Sequence, residues 1–111
     1  MVIPVFGITI VPFYTYVLHC SNGSLYTGWT SDLNQRIENH NAGKGAKYTR
    51  ANRPVKLAVS WVLDSKVDAM RLEWKIKHMN RAAKLRLISD PSLCTNLLAD
   101  DLVSDDAGRN P

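Results

Sequence analysis

The sequence predicts a mixed α/β (α+β) domain on three observations. Residues 13–29 carry an aromatic hairpin pattern, residues 54–62 alternate as a further strand, and residues 33–40 and 66–79 carry apolar stripes at helical spacing.

The opening twelve residues are apolar, but Pro4 and Pro12 interrupt them and no basic start precedes them. They are too short to span a bilayer and lack the form of a signal, so residues 1–12 are read as an extended lead-in to the first strand.

The hairpin runs Phe13-Tyr14-Thr15-Tyr16-Val17-Leu18-His19-Cys20, then Ser21-Asn22-Gly23, then Ser24-Leu25-Tyr26-Thr27-Gly28-Trp29. Both flanks are rich in aromatic and β-branched residues, and Asn22-Gly23 supplies the positive φ of a tight turn. Turn length decides which face each tyrosine occupies. A two-residue loop sets Trp29 opposite Tyr16 and sends Tyr26 to the other side of the sheet. A three-residue loop with Gly23 left-handed pairs Cys20 with Ser24, Leu18 with Tyr26 and Tyr16 with Gly28, so both phenols share a face. A one-residue slip inverts every side chain, so the three-residue loop is itself a functional prediction. Taken alone, two strand tyrosines are ordinary sheet residues.

Thr30-Ser31-Asp32 supplies helix-capping residues, and Leu33, Arg36, Ile37 and His40 then fall on one stripe. Arg36 and His40 are neighbours at i and i+4 beside an apolar seam. Arg36 is either a snorkelling side chain at the core edge or a guanidinium aimed at a phosphate. From Gly43 the chain reads as a flexible basic loop in which Lys44, Lys47, Arg50, Arg53 and Lys56 surround Gly45 and the aromatic Tyr48. Either it merely keeps the protein soluble or it lies along a nucleic-acid backbone.

Residues 54–62 alternate as a third strand with Val55, Leu57, Val59 and Trp61 on one face. The helix over 66–79 starts at a capping box of Ser65 and Asp68 and holds Ala69, Met70, Leu72, Ile76 and Met79 in its stripe. At ~3.6 residues per turn Glu73 lands between Met70 and Ile76. A carboxylate there needs compensation. A pair with Arg36 or Arg71 supplies it, or a divalent metal with oxygen ligands and waters does. Asn80 caps a short helix over 81–88, Asp90-Pro91 starts another through Leu98, and residues 99–111 read as an acidic, mobile tail. Trp74 points away from the stripe that holds Glu73, either covering a neighbouring helix or stacking on a base. His19 and His78 share no ligand spacing and are read as ordinary histidines.

A chain of 111 residues makes one domain, residues 13–98, with one modest core. Two cysteines, Cys20 and Cys94, form no metal-spaced pair and too sparse a set for a disulfide scaffold, which points to an intracellular setting in cytoplasm, nucleoid or nucleus. The net charge is +4, but its distribution says more. Residues 36–90 hold thirteen bases against five acids, +8, whereas residues 1–35 hold one acid and no base. Such a segment suits a polyanion held through its phosphates, with salt-sensitive binding and little base specificity.

Tyr14-Thr15-Tyr16 and Tyr26-Thr27-Gly28, then Arg36 on the following helix and Glu73 on a later one, resemble the GIY-YIG nucleases. The likeness is to the small single-domain members similar to the nuclease module of the bacterial excision-repair machinery. His40, the stretch from Gly43 to Arg50 and Arg53-Pro54-Val55-Lys56-Leu57 extend it over about residues 13–88. Only the last residue of the first tripeptide matches the family name, and Trp29 stands where some relatives carry lysine.

The resemblance implies a small three-stranded antiparallel sheet flanked by helices and a metal-dependent DNA endonuclease of repair, recombination or branched-DNA processing. By position, Tyr16 activates or orients the attacking water, Tyr26 hydrogen-bonds within the site, and Arg36 stabilises phosphate charge. Glu73 binds one Mg²⁺ or Mn²⁺, and His40 assists proton transfer. A tyrosine of ordinary pKa, about 10, serves as a base at neutral pH only if positive charge lowers it, which Arg36 and the metal supply. A late asparagine of the family corresponds to Asn80 or Asn96. One site cuts one strand, so a double-strand break needs a dimer or two successive nicks. The alternative is a non-catalytic nucleic-acid-binding module of the same fold, with Glu73 paired rather than metallated.

Overall fold

The computed structural model describes residues 3–5 and 8–98. Strands β1 (Ile3–Val5) and β2 (Ile8–Ile10) pair antiparallel, so the lead-in holds a two-stranded ribbon rather than a single extended run. The expected acidic tail lies outside the described residues.

Strands β3 (Phe13–His19), β4 (Leu25–Thr30) and β5 (Lys56–Leu63) form the expected three-stranded antiparallel sheet, in the order β4-β3-β5. The β3–β4 register sets Tyr16 opposite Gly28 and Leu18 opposite Tyr26. Cys20 N–H donates to Ser24 O at 2.9 Å, and Gly23 turns the chain at φ +86°. This is the three-residue loop, and it puts both phenols on one face.

That face is covered by α1 (Leu33–Asn41) and the short α2 (Lys47–Ala51), with Tyr16, Leu18, Cys20 and Val55 buried beneath Leu33 and Ile37. Asp32 caps α1 by accepting from Gln35 N–H at 3.1 Å. The other face packs on α3 (Lys66–Lys77) and α4 (Arg81–Ser89), where Val17, Val59, Trp61 and Leu63 meet Ala69, Leu72, Ile76 and Leu87. Complete burial of Leu72 and Ile76, each contributing about 1.5–3 kcal/mol, pins α3 against the sheet. Thr15 adds a hydroxyl bond to Ala69 O at 2.7 Å. Asn80 caps α4, and a 3₁₀ turn (Pro91–Leu93) leads into helical residues 94–98.

Three expectations are corrected. The run containing Lys47 and Tyr48 is helical, α2, although no side chain caps it. Val55, Leu57, Val59 and Trp61 do not share a face. A bulge in the β3–β5 register pairs Val17 with Val59 but Leu18 with Leu57, leaving Ala58 as an extra residue. Val55 therefore enters the core under α1, while Val59 and Trp61 enter the core under α3. Met70 is exposed, so the buried stripe of α3 is Ala69, Leu72 and Ile76, and Glu73 stands at its rim.

Candidate active site

The hairpin register brings Tyr16 and Tyr26 to one face, and α1 lays His40 across both, with ring centroids 6.0 and 5.3 Å away. Tyr16 and His40 are fully buried. The Tyr16 hydroxyl and His40 Nε2 lie 2.9 Å apart, and His40 Nδ1 lies 2.7 Å from Thr49 Oγ1. Thr49 donates its single hydroxyl proton to Ala46 O at 2.9 Å. Its oxygen must therefore accept from His40, which places the imidazole proton on Nδ1. Nε2 is then the acceptor and Tyr16 the donor. The chain Tyr16–His40–Thr49–Ala46 runs in one direction with every proton assigned.

Two glycines make room for it. A Cβ at Gly28 would sit 2.5 Å from the Tyr16 hydroxyl oxygen, and one at Gly45 would land on His40 Nδ1, 2.8 Å from Cε1. Neither buried ring can yield that space.

The electrostatics favour neutral forms. Burial pushes the Tyr16 phenol up to about 12, and negative charge at Tyr26 and Glu73 adds to the rise. The charge of Arg36 and its hydrogen bonding to the phenol oppose the shift without cancelling it. Tyr16 thus stays protonated at neutral pH, because Arg36 alone does not offset its burial. His40 is held below its ordinary value by burial first and by the Arg36 charge second. The unfolded chain takes up this proton near pH 6.5, and the folded chain only below that. Stability is therefore complete above pH 6.5 and falls with pH until folded His40 titrates. The melting temperature is expected to decline below pH 6.5 in the wild type and to flatten in His40→Gln. A wild type that gains stability on acidification overturns this.

Beside this buried chain opens a cleft of about 410 Å³, lined by Tyr26, Arg36, Asn39, His40, Lys44, Gly45 and Ala46. Tyr26 is half-buried, and no hydrogen bond occupies its hydroxyl among the described residues. Arg36 and Lys44 are exposed and make the cleft cationic. Glu73, on α3, acts on Tyr16 through its charge. Its side chain is 20% exposed, and its carboxylate meets Lys77 at 3.3 Å. Neither Arg36 nor Arg71 compensates it; Arg71 lies 4.0 Å from Asp68.

Four of the five expected site residues, Tyr16, Tyr26, Arg36 and His40, lie together in two layers, and Glu73 stands apart on α3. Tyr26 and Arg36 face the cleft, whereas Tyr16 lies behind it and the buried His40 lines it with both ring nitrogens engaged. The basic loop residues divide as well. Lys44 lines the cleft, and Lys47 and Arg50 are exposed. Arg53 donates to Arg50 O at 3.1 Å and Asn41 O at 3.3 Å, capping helix ends. Tyr48 keeps an exposed ring but has its hydroxyl held by Ser24 and Asn22. Asn80 is occupied as a helix cap, and Asn96 is exposed on the last described helix. Thr49 escaped sequence reasoning: a threonine nine residues after a histidine carries no signal until α2 forms.

The sequence model described as the GIY-YIG catalytic domain matches residues 12–86. The chain belongs to the GIY-YIG family. This is a family of nucleases, and its fold and tyrosine register account for the site just described. Among GIY-YIG relatives, a UPF0213 protein of Streptococcus agalactiae serotype V is 56% identical over 78 residues, covering 70% of this chain and 89% of that one. A UPF0213 protein of Halalkalibacterium halodurans is 49% identical over 76 residues, 68% of this chain and 81% of that one. The solution NMR structure of the protein EF2693 from E. faecalis superimposes with a TM-score of 0.52 at 33% identity, over 74% of this chain and 88% of that one.

Proposed function

We propose that this chain is a metal-dependent DNA endonuclease that hydrolyses phosphodiester bonds in the repair, recombination or processing of branched or damaged intracellular DNA. The observation that carries this reading is the cationic cleft, where Tyr26 meets Arg36 and Lys44 over the directed Tyr16–His40–Thr49 chain.

Each residue has a task set by its surroundings. Arg36 binds the scissile phosphate and offsets the charge that grows on its oxygens in the transition state. Lys44 and the exposed Lys47 and Arg50 hold the flanking phosphates, giving affinity without base choice. Tyr26, the phenol that faces the cleft, accepts a hydrogen bond from the attacking water and orients it. Tyr16 and His40 are positioning residues: both imidazole nitrogens are engaged, so they buttress Tyr26 rather than shuttle its proton. This reverses the tyrosine roles expected from the sequence.

Glu73 fits one hard divalent ion. It is a half-buried oxygen donor whose partner, Lys77, is itself about half exposed, and such a pair at i,i+4 contributes only about 0.3–0.5 kcal/mol. No group of three or more His, Cys, Asp or Glu residues gathers among the described residues. One carboxylate with waters suits Mg²⁺ or Mn²⁺, which keep much of their hydration. When bound, the ion supplies positive charge for the phosphate oxygens and acidifies water.

Supercoiled plasmid and flapped duplexes are expected to be nicked in Mg²⁺ or Mn²⁺, with excess EDTA stopping the reaction. A folded wild type that binds these substrates and leaves them intact in both metals supports the second reading, a non-catalytic nucleic-acid-binding module. The Glu73–Lys77 pair is the observation that favours it.

A further inference from the structure

Helix α3 carries an aromatic surface beside Glu73 that the chemistry above leaves unused. Trp74 is 60% exposed, and Met70, one turn earlier, is 44% exposed. The indole stacks on His78 of its own helix, with centroids 3.9 Å apart and planes 30° from parallel. His78 Nδ1 donates to Trp74 O at 2.7 Å, which fixes the imidazole as a backing plate. A large flat ring is thus held in place without being buried, and an incoming group that stacks on it has little side-chain entropy left to freeze.

Its place on the helix relates it to Glu73. At ~100° per residue, Glu73 lies on one flank of the buried stripe, and Lys77, Met70 and then Trp74 follow outward on that same flank. A cation therefore separates the carboxylate from the ring. The helix carries Lys66, Arg71, Lys75 and Lys77 against Asp68 and Glu73, an excess of positive charge. A second copy docked here about a two-fold axis would bring these cations together. A DNA strand would match them, and every base offers a π face to the indole.

We propose that Trp74 is a stacking platform for an unpaired base of the strand whose phosphate meets Tyr26 and Arg36. On the nuclease reading above, on which this inference rests, DNA with single-stranded bases beside the cut is then the substrate class. A fully paired base keeps its faces against its neighbours and cannot use the platform.

The test is fluorescence anisotropy without divalent metal, on a labelled duplex with a single-stranded thymidine extension, the same extension with abasic residues, and a fully paired duplex. The wild type is expected to favour the thymidine extension on the order of tenfold over the abasic one. Trp74→Ala should bind all three alike, and Trp74→Phe should recover part of the preference. Quenching of tryptophan fluorescence by a thymidine oligonucleotide should disappear in Trp74→Ala. A Trp74→Ala protein that keeps both preference and quenching overturns the proposal. So does one whose sedimentation shifts from dimer to monomer with its DNA preference intact, which assigns the surface to a second copy. Base preference without any cutting in Mg²⁺ or Mn²⁺ sinks the nuclease reading and leaves the platform standing. Metal-dependent cutting with no base preference does the reverse.

Discussion

Glu73→Ala is expected to lower DNA cleavage by at least about a thousandfold, the scale of several kcal/mol in the barrier, while fold and DNA affinity persist. The residue stands at the rim of the α3 stripe, not inside it, and Ala69, Leu72 and Ile76 hold the helix to the sheet without it. Its visible contact is an i,i+4 pair with the half-exposed Lys77, whose loss costs about 0.3–0.5 kcal/mol. On the proposed reading, affinity comes from cations elsewhere, among them Arg36 and Lys44 in the cleft. Single-turnover nicking, thermal melting and anisotropy on one preparation read the three quantities separately. Continued cutting by a pure, folded Glu73→Ala protein would remove the carboxylate from the mechanism.

The two tyrosines are expected to fail in different ways. Tyr26→Phe takes away the hydroxyl that faces the cleft and should cost about 10²–10⁴ in rate, the range for a positioned proton-handling group. Its melting temperature should stay near that of the wild type, because no hydrogen bond among the described residues uses that hydroxyl. Tyr16→Phe instead leaves His40 Nε2 buried without its donor, a penalty of about 1–3 kcal/mol. It should melt several degrees lower, since each kcal/mol moves a domain of this size by roughly 4–8 °C, and lose less activity than Tyr26→Phe. Paired melts and rate measurements decide it. If Tyr16→Phe cuts nothing yet melts normally, and Tyr26→Phe cuts normally, the water-facing role returns to Tyr16.

Much of this was legible in the chain because it is local. Asn22-Gly23 and the flanking aromatics determine the hairpin register, and the register determines that both phenols share a face. Asp32, Ser65 and Asn80 announce three helix starts, and each caps as its residue type requires. What stayed hidden depends on contacts far apart in sequence. Helix α2 has no capping side chain and is fastened by the Thr49–His40 bond and by the grip of the hairpin turn on Tyr48, so local propensity could not disclose it. Gly45 looked like a source of flexibility, but the His40 ring occupies the space its side chain would fill. Which phenol meets the cleft is decided by burial under α1, which a strand pattern does not record. The bulge in β5 was hidden for a related reason: the apolar alternation reads straight through it.

That bulge also limits how such a chain can change over evolutionary time. One surplus residue at Ala58 lets β5 serve both cores, with Val55 on one side and Val59 with Trp61 on the other. A one-codon deletion at Ala58 would straighten the strand and still leave Leu57 opposite Leu18 and Val59 opposite Val17, whereas a one-codon insertion in the regular stretch would exchange the inner and outer sides of everything on one side of it. Length variation among descendants should therefore be confined to this bulge and to the connections.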